Sequence, residues 1–183
     1  MTYTLEAFCK DCHAALKTDK GPGGREVIRG LIEKLLANKE FVERHLGPQV
    51  KEGRHTLYED PELKFCVLAH VNRDGRSSIP HDHGRSWAVY GQAIGWSDMS
   101  LWKRKDGGSE AGPAELEATT SFRLDPVQAG IFDIGVIHGV ARAPGDCCFV
   151  RVTGEDLEVV PRLKYDLEAR RAVTIESAGV GGG

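Results

Sequence analysis

The chain contains no run of about 18 apolar residues, so no part of it reads as a helix able to span a membrane. It lacks a basic start followed by an apolar block. Its first residues, MTYTLEAFCKDCHAAL, mix charged and apolar types, which argues against a secretory signal and for a cytoplasmic protein. Charge of one sign is lacking too. With 24 Lys and Arg against 27 Asp and Glu, the net charge is −3, and nothing electrostatic favours nucleic acid or an anionic membrane as partner. No internal repeat or low-complexity block is present, which sets aside solenoids, collagen-like chains and coiled coils. The five cysteines (Cys9, Cys12, Cys66, Cys147 and Cys148) are odd in number, and free thiols are their simplest reading without an export signal.

What is present fits one globular domain. The chain has 183 residues, of which 40% are hydrophobic and 28% charged. A chain of this size buries roughly 70% of its unfolded surface and needs no disulfide to hold a core. Residues 1–48 read as a helical segment. Leu5, Phe8, Cys9, Cys12, Ala15 and Leu16 recur at spacings of three and four. After the breaker Gly21-Pro22-Gly23-Gly24, a second stripe of Val27, Ile28, Leu31, Ile32, Leu35, Leu36, Val42 and Leu46 predicts one helix over 25–46, ended by Gly47-Pro48.

From residue 49 to 177 the pattern changes. Short apolar or β-branched runs at 63–71, 86–94, 100–103, 119–124, 130–134, 147–153 and 172–175 alternate with Gly, Pro and Asp turns every eight to twelve residues. That spacing predicts a sandwich or barrel of about eight or more strands. The Gly-rich residues 178–183 read as a flexible tail.

Three histidines stand out among seven. His81 and His83 are two apart, and in an extended strand such residues point to the same side. Neutral imidazoles bind Fe, Zn, Ni or Cu. His138 follows Gly135 at the edge of another apolar run and is the candidate third ligand. Three protein ligands leave coordination positions open for substrate, which is a catalytic arrangement. The spacing alone is equally compatible with a surface strand carrying two exposed imidazoles.

The surroundings resemble the cupin superfamily. Gly75, five residues, His81-x-His83, four residues, Ala88, six residues and Gly95 follow its first motif, and Gly135-x-x-His138 follows part of its second. The departures are Ala88 for a ligating Glu, Asp133 for a Pro and Arg142 for an Asn. The resemblance implies an all-β cupin double-stranded β-helix, a jelly-roll barrel, with two N-terminal helices, and a metal site of His81, His83 and His138. Within cupins, a three-His set looks like the Fe(II) thiol (cysteine) dioxygenase branch, to which the segment from Lys64-Phe65 through Gly75 to His83 is similar. That branch's cysteine cross-link has no counterpart at Ala88. Its Ser-x-His-x-Tyr triad falls on Phe149, Arg151 and Thr153, and its carboxylate-gripping Arg falls near Arg54 or His55.

On this resemblance the expected activity is that of a non-haem Fe(II)-dependent dioxygenase. It would act on a small anionic organic substrate together with O2. Zn, Mn and Ni stay open as the metal. The expected catalytic residues are Arg151 and Tyr90; Arg54, His55, Gln92 and Arg151 are expected to bind substrate. Tyr90 and Gln92 enter because they alternate with Ala88 on one strand face. An inward Arg151 requires an anion, either substrate or a structural partner such as Asp133. Another metal-dependent enzyme on the same barrel (an isomerase or a hydrolase) and a non-enzymatic ligand-binding protein remain alternatives, and a homodimer is left open. Cys9-Lys10-Asp11-Cys12-His13 also fits the haem-attachment pattern. Its cysteines fall on the apolar stripe of the first helix, which favours a core role and makes His13 an ordinary helix residue.

Overall fold

The computed structural model describes residues 2–75 and 77–175. The tail read at 178–183 lies outside the described residues. Three helices come first, where apolar spacing predicted two. Helix α1 spans Leu5–Thr18, and the Thr4 side chain accepts from the Ala7 amide at 3.2 Å to start it. Helix α2 spans Pro22–Leu36 and begins with a proline, whose missing N–H costs nothing in the first turn. The expected helix over 25–46 is interrupted at Asn38. Its side chain accepts from the Glu40 and Phe41 amides at 3.1 and 3.3 Å and starts a separate α3, Lys39–Leu46. Both helices bury their stripes in one core, so apolar periodicity runs on through the break.

Twelve strands follow: β1 Gly53–Glu59, β2 Cys66–Asn72, β3 Ser78–His81, β4 Ala88–Ile94, β5 Ser97–Arg104, β6 Gly112–Pro113, β7 Leu116–Leu124, β8 Ala129–Phe132, β9 Ile137–Arg142, β10 Cys147–Thr153, β11 Arg162–Asp166 and β12 Arg171–Ile175. The strand expected from residue 63 starts only at Cys66, because Lys64 adopts a left-handed backbone (φ 64°). Strands β1, β3, β6, β9 and β11 have no counterpart among the expected runs; each is short or mixes polar residues with apolar ones. All pairings are antiparallel. One sheet has the order β1-β2-β10-β4-β8 and the other β6-β12-β11-β3-β9-β5-β7. The architecture is an all-β barrel of two curled sheets with N-terminal helices, the fold that the cupin resemblance implies.

Alternation divides the five-stranded sheet into two faces. Val67, Ala69, Val71, Val89, Cys148, Val150 and Val152 point outward and pack with Phe8, Cys12, Ile28, Ile32 and Leu35 of the helices. Burying side chains such as Ile28, Ile32 and Leu35 contributes roughly 1.5–3 kcal/mol each. The contact is close at Gly91, where an added Cβ would lie 2.0 Å from a methyl of Ile32. Ala88, Tyr90 and Phe149 point inward and meet Met99, Leu124, Phe132 and Val140. Among the described residues, no helix is long and apolar enough to cross a membrane.

Candidate metal centre

His81 is the last residue of β3, and its partner across the antiparallel β3–β9 pairing is His138. Their rings lie 4.5 Å apart between centroids. His83 is not on the strand, contrary to the expected alternation. It stands just beyond it, in a turn fixed by the residue between the two histidines. The buried Asp82 carboxylate accepts from the amides of Gly84 (2.9 Å) and Leu163 (3.0 Å) and from the Tyr165 hydroxyl (3.0 Å). Strand β11 thereby holds the turn, and the His83 ring arrives 4.8 Å from His138 and 5.7 Å from His81. One ligand atom from each of the three histidines lies within 4.8 Å of the others.

The ring nitrogens suit a metal. His81 Nδ1 donates to the Ile79 carbonyl at 2.9 Å, a tautomer that leaves Nε2 as a lone-pair donor. His83 Nδ1 and His138 Nε2 are buried without a hydrogen-bonding partner, an arrangement that costs free energy unless something else meets them. Burial first, then the neighbouring rings and Arg151, push the pKa of His83 and His138 well below 6.5; burial likewise lowers His81. All three imidazoles are therefore neutral at physiological pH, the form that ligates. No carboxylate belongs to the group, and Ala88 faces the interior.

A polar wall continues from the histidines across β4 and β10. The Tyr90 hydroxyl lies 3.2 Å from His83 Nε2 and accepts from Arg151 Nη1 at 3.4 Å. Arg151 is only 8% exposed, and its Nε has no partner. Asp133 does not pair with it; that carboxylate binds Arg25 of α2 instead, at 2.6 Å. One row along, His70 stacks on Phe149 with ring centroids 4.6 Å apart, and its buried Nε2 is unpartnered. Burial, then the charge of Arg151, lowers the His70 pKa well below 6.5. On β11, burial and repulsion from Arg151 lower the Arg162 pKa, and its nearest carboxylate, Glu158, stands 3.7 Å away.

The other expected substrate residues stand elsewhere. Arg54 sits on β1 and reaches Glu158 at 2.8 Å and Asp156 at 3.4 Å, so two carboxylates already occupy it. His55 pairs with Ala69, whose side faces the helices, and its Nε2 meets the Lys51 carbonyl at 2.7 Å. Gln92 does point inward, but its amide donates to the Ile94 carbonyl and accepts from Ser97, both at 2.8 Å. In a barrel, one residue of register decides the side, and the sequence around Arg54-His55 does not set it. Asp82 and Arg162 were missed. The first was hidden as the spacer of His-x-His, and the second lies on an unanticipated strand.

Cys9 and Cys12 are free thiols that pack on the inner side of α1. Both thiols are buried in the helical core, and burial pushes Cys9 up to about 12. His13 is not an ordinary helix residue: its Nδ1 lies 2.8 Å from the buried Asp60 carboxylate and ties α1 to the β1–β2 turn.

No protein-family model matches the chain, and no curated protein matches it. Solved structures do. KdgF from Halomonas sp. shares 17% identity over 55% of this chain and 74% of its own, with a TM-score of 0.41. An uncharacterized conserved protein with a double-stranded β-helix domain from Klebsiella pneumoniae shares 17% identity over 61% of this chain and 80% of its own, with a TM-score of 0.43. DMSP lyase DddQ from Ruegeria pomeroyi shares 11% identity over 71% of this chain, with a TM-score of 0.42. Its match covers 53% of DddQ, and that to peruvianin-I from Thevetia peruviana covers 52% of that protein, so the chain spans about half their length.

Proposed function

We propose that the protein is a metal-dependent oxygenase that consumes O2 together with a small anionic organic substrate. The observation that carries this reading is the donor set: three neutral imidazoles, with His83 and His138 buried, three unpartnered ring nitrogens on those two, and no carboxylate. His81, His83 and His138 would hold Fe(II), which when bound offers open positions to an anionic donor and to dioxygen. Neutral ligands leave the full charge of the ion uncompensated, which suits a thiolate, enolate or catecholate substrate.

The chain's own residues do the rest. Arg151 carries a guanidinium, and its unpartnered Nε offers a donor edge to a substrate carboxylate. Tyr90 stands between that guanidinium and His83 and can turn its hydroxyl to donate or accept. Phe132 and Phe149, both buried, keep the interior apolar and water out.

The test is metal analysis of anaerobically purified protein, followed by O2 uptake with thiols, diketones and phenolic acids. About one Fe per chain and substrate-dependent O2 uptake support the reading. A bound metal with no O2 uptake against any of these would move it to an isomerase or hydrolase. Absence of metal binding would leave a ligand-binding barrel.

A further inference from the structure

Helix α2 touches more than the outer face of the sheet. It runs along β8, the edge strand beside β4, and grips it at both ends. Near its C-terminal end, Glu33 accepts from the Ala129 amide at 3.2 Å, at the start of β8. Near its N-terminal end, Arg25 Nε stands 2.6 Å from the carboxylate of Asp133, the residue that follows β8. Arg25 is 8% exposed, and its Nη1 donates to the Lys20 carbonyl at 3.1 Å. A guanidinium this buried needs an anion beside it, and Asp133 is the carboxylate it meets.

The same turn delivers the third histidine. The Asp133 carbonyl accepts from the Val136 amide at 3.1 Å, Gly135 takes a left-handed backbone (φ 77°), and His138 follows on β9. Phe132, fully buried just before Asp133, lies against the His138 ring with centroids 4.4 Å apart. A shift of Asp133 is therefore a shift of the turn that carries His138 and of the ring that packs on it.

We propose that Arg25 is a positioning residue of the candidate metal centre: through its ion pair with Asp133 it fixes the β8–β9 turn and with it the place of His138. The helical segment is then part of the site's support. The inference rests on the reading of His81, His83 and His138 as metal ligands. Residues that orient ligands typically cost 10- to 100-fold in metal affinity when changed, and a residue one step further out costs less, about three- to tenfold.

The experiment is titration with Co(II), whose visible absorption reports ligand geometry, on the full chain. Arg25→Gln and Asp133→Asn should each weaken Co(II) binding about three- to tenfold and alter the spectrum. The double variant should be no worse than the weaker single, because both remove the same pair. Arg25→Lys should restore most of the affinity. Ile32→Val, on the same helix but away from Asp133, lowers stability and should leave affinity and spectrum unchanged. In metal-free protein, the His138 ring NMR signals should move in Arg25→Gln and not in Ile32→Val.

Unchanged affinity and spectrum in both single variants would overturn the proposal, whatever their melting temperatures. So would additive losses in the double variant, or His138 signals that stay in place in Arg25→Gln. Failure of wild-type protein to bind Co(II) would instead overturn the metal reading, and the ring signals would still test the positioning.

Discussion

On β4, Val89 and Gly91 face α2 while Ala88 and Tyr90 face the histidines; on β10, Val150 and Val152 face the helices while Phe149 and Arg151 face the interior. The same two strands thus build two different environments. The outer side is dry and apolar and meets its partners at van der Waals distance. The inner side carries a guanidinium, a hydroxyl and imidazoles whose polar atoms are unpartnered or loosely paired. The contrast separates two uses of free energy. Outer residues gain by being covered. Inner residues such as His138 and Arg151 cost stability as they stand, and a protein retains such groups where a ligand repays them. Each substitution below strikes one side and should leave the signature of the other unmoved.

The largest effect is expected at His138. His138→Ala leaves two imidazoles, a poor chelate, and should remove most of the bound metal while the melting temperature of the metal-free protein stays level or rises. Full occupancy, measured by metal analysis, would place the third ligand elsewhere.

Arg151→Leu comes next. Loss of a charge-assisted pair in a dry site is worth roughly 2–5 kcal/mol, about 30- to several-thousand-fold in affinity. Steady-state kinetics should show that rise in KM with metal content and stability intact. A parallel fall in melting temperature and metal content would make Arg151 a structural group and erase the contrast on β10.

On the outer side, Gly91→Val drives a side chain into Ile32 and Leu36 of α2 and should destabilise by about 1–3 kcal/mol. Urea denaturation measures this, and metal affinity in the folded protein should hold. A loss of metal at full stability would mean that the helix contact governs the interior more directly than packing allows.

The smallest effect concerns His70. Its folded pKa lies well below the ordinary 6.5. Above about 6.5 neither the folded nor the unfolded chain protonates it, so its contribution is flat there. As pH falls from that value towards the lowered pKa, the unfolded chain takes up a proton that the folded chain refuses, and stability falls by up to about 1.4 kcal/mol per pH unit. His70→Phe keeps the stack on Phe149 and should flatten the melting temperature below pH 6.5 by one proton's slope. An unchanged acid slope would show that the ring is protonated within the fold.

The sequence by itself determined the helical start, the β-rich remainder and the three histidines. Each is written locally: spacings of three and four in the helices, alternation punctuated by Gly and Pro in the strands, and His81-x-His83 with Gly135-x-x-His138. Alternation also placed Ala88, Tyr90 and Gln92 on one face, because side-chain period along a strand is a property of the backbone. Tertiary structure decided what each of those residues meets. Whether Arg54 or its neighbour His55 turns inward depends on register against β2, and Gln92 accepts from Ser97, a residue brought back by the β4–β5 turn. The partner of Asp133 is Arg25, 108 positions away, and the residue that seats His83 acts through β11, some 80 positions on. Such pairs lie beyond any local pattern, because they are fixed by how two sheets and a helix close on one another.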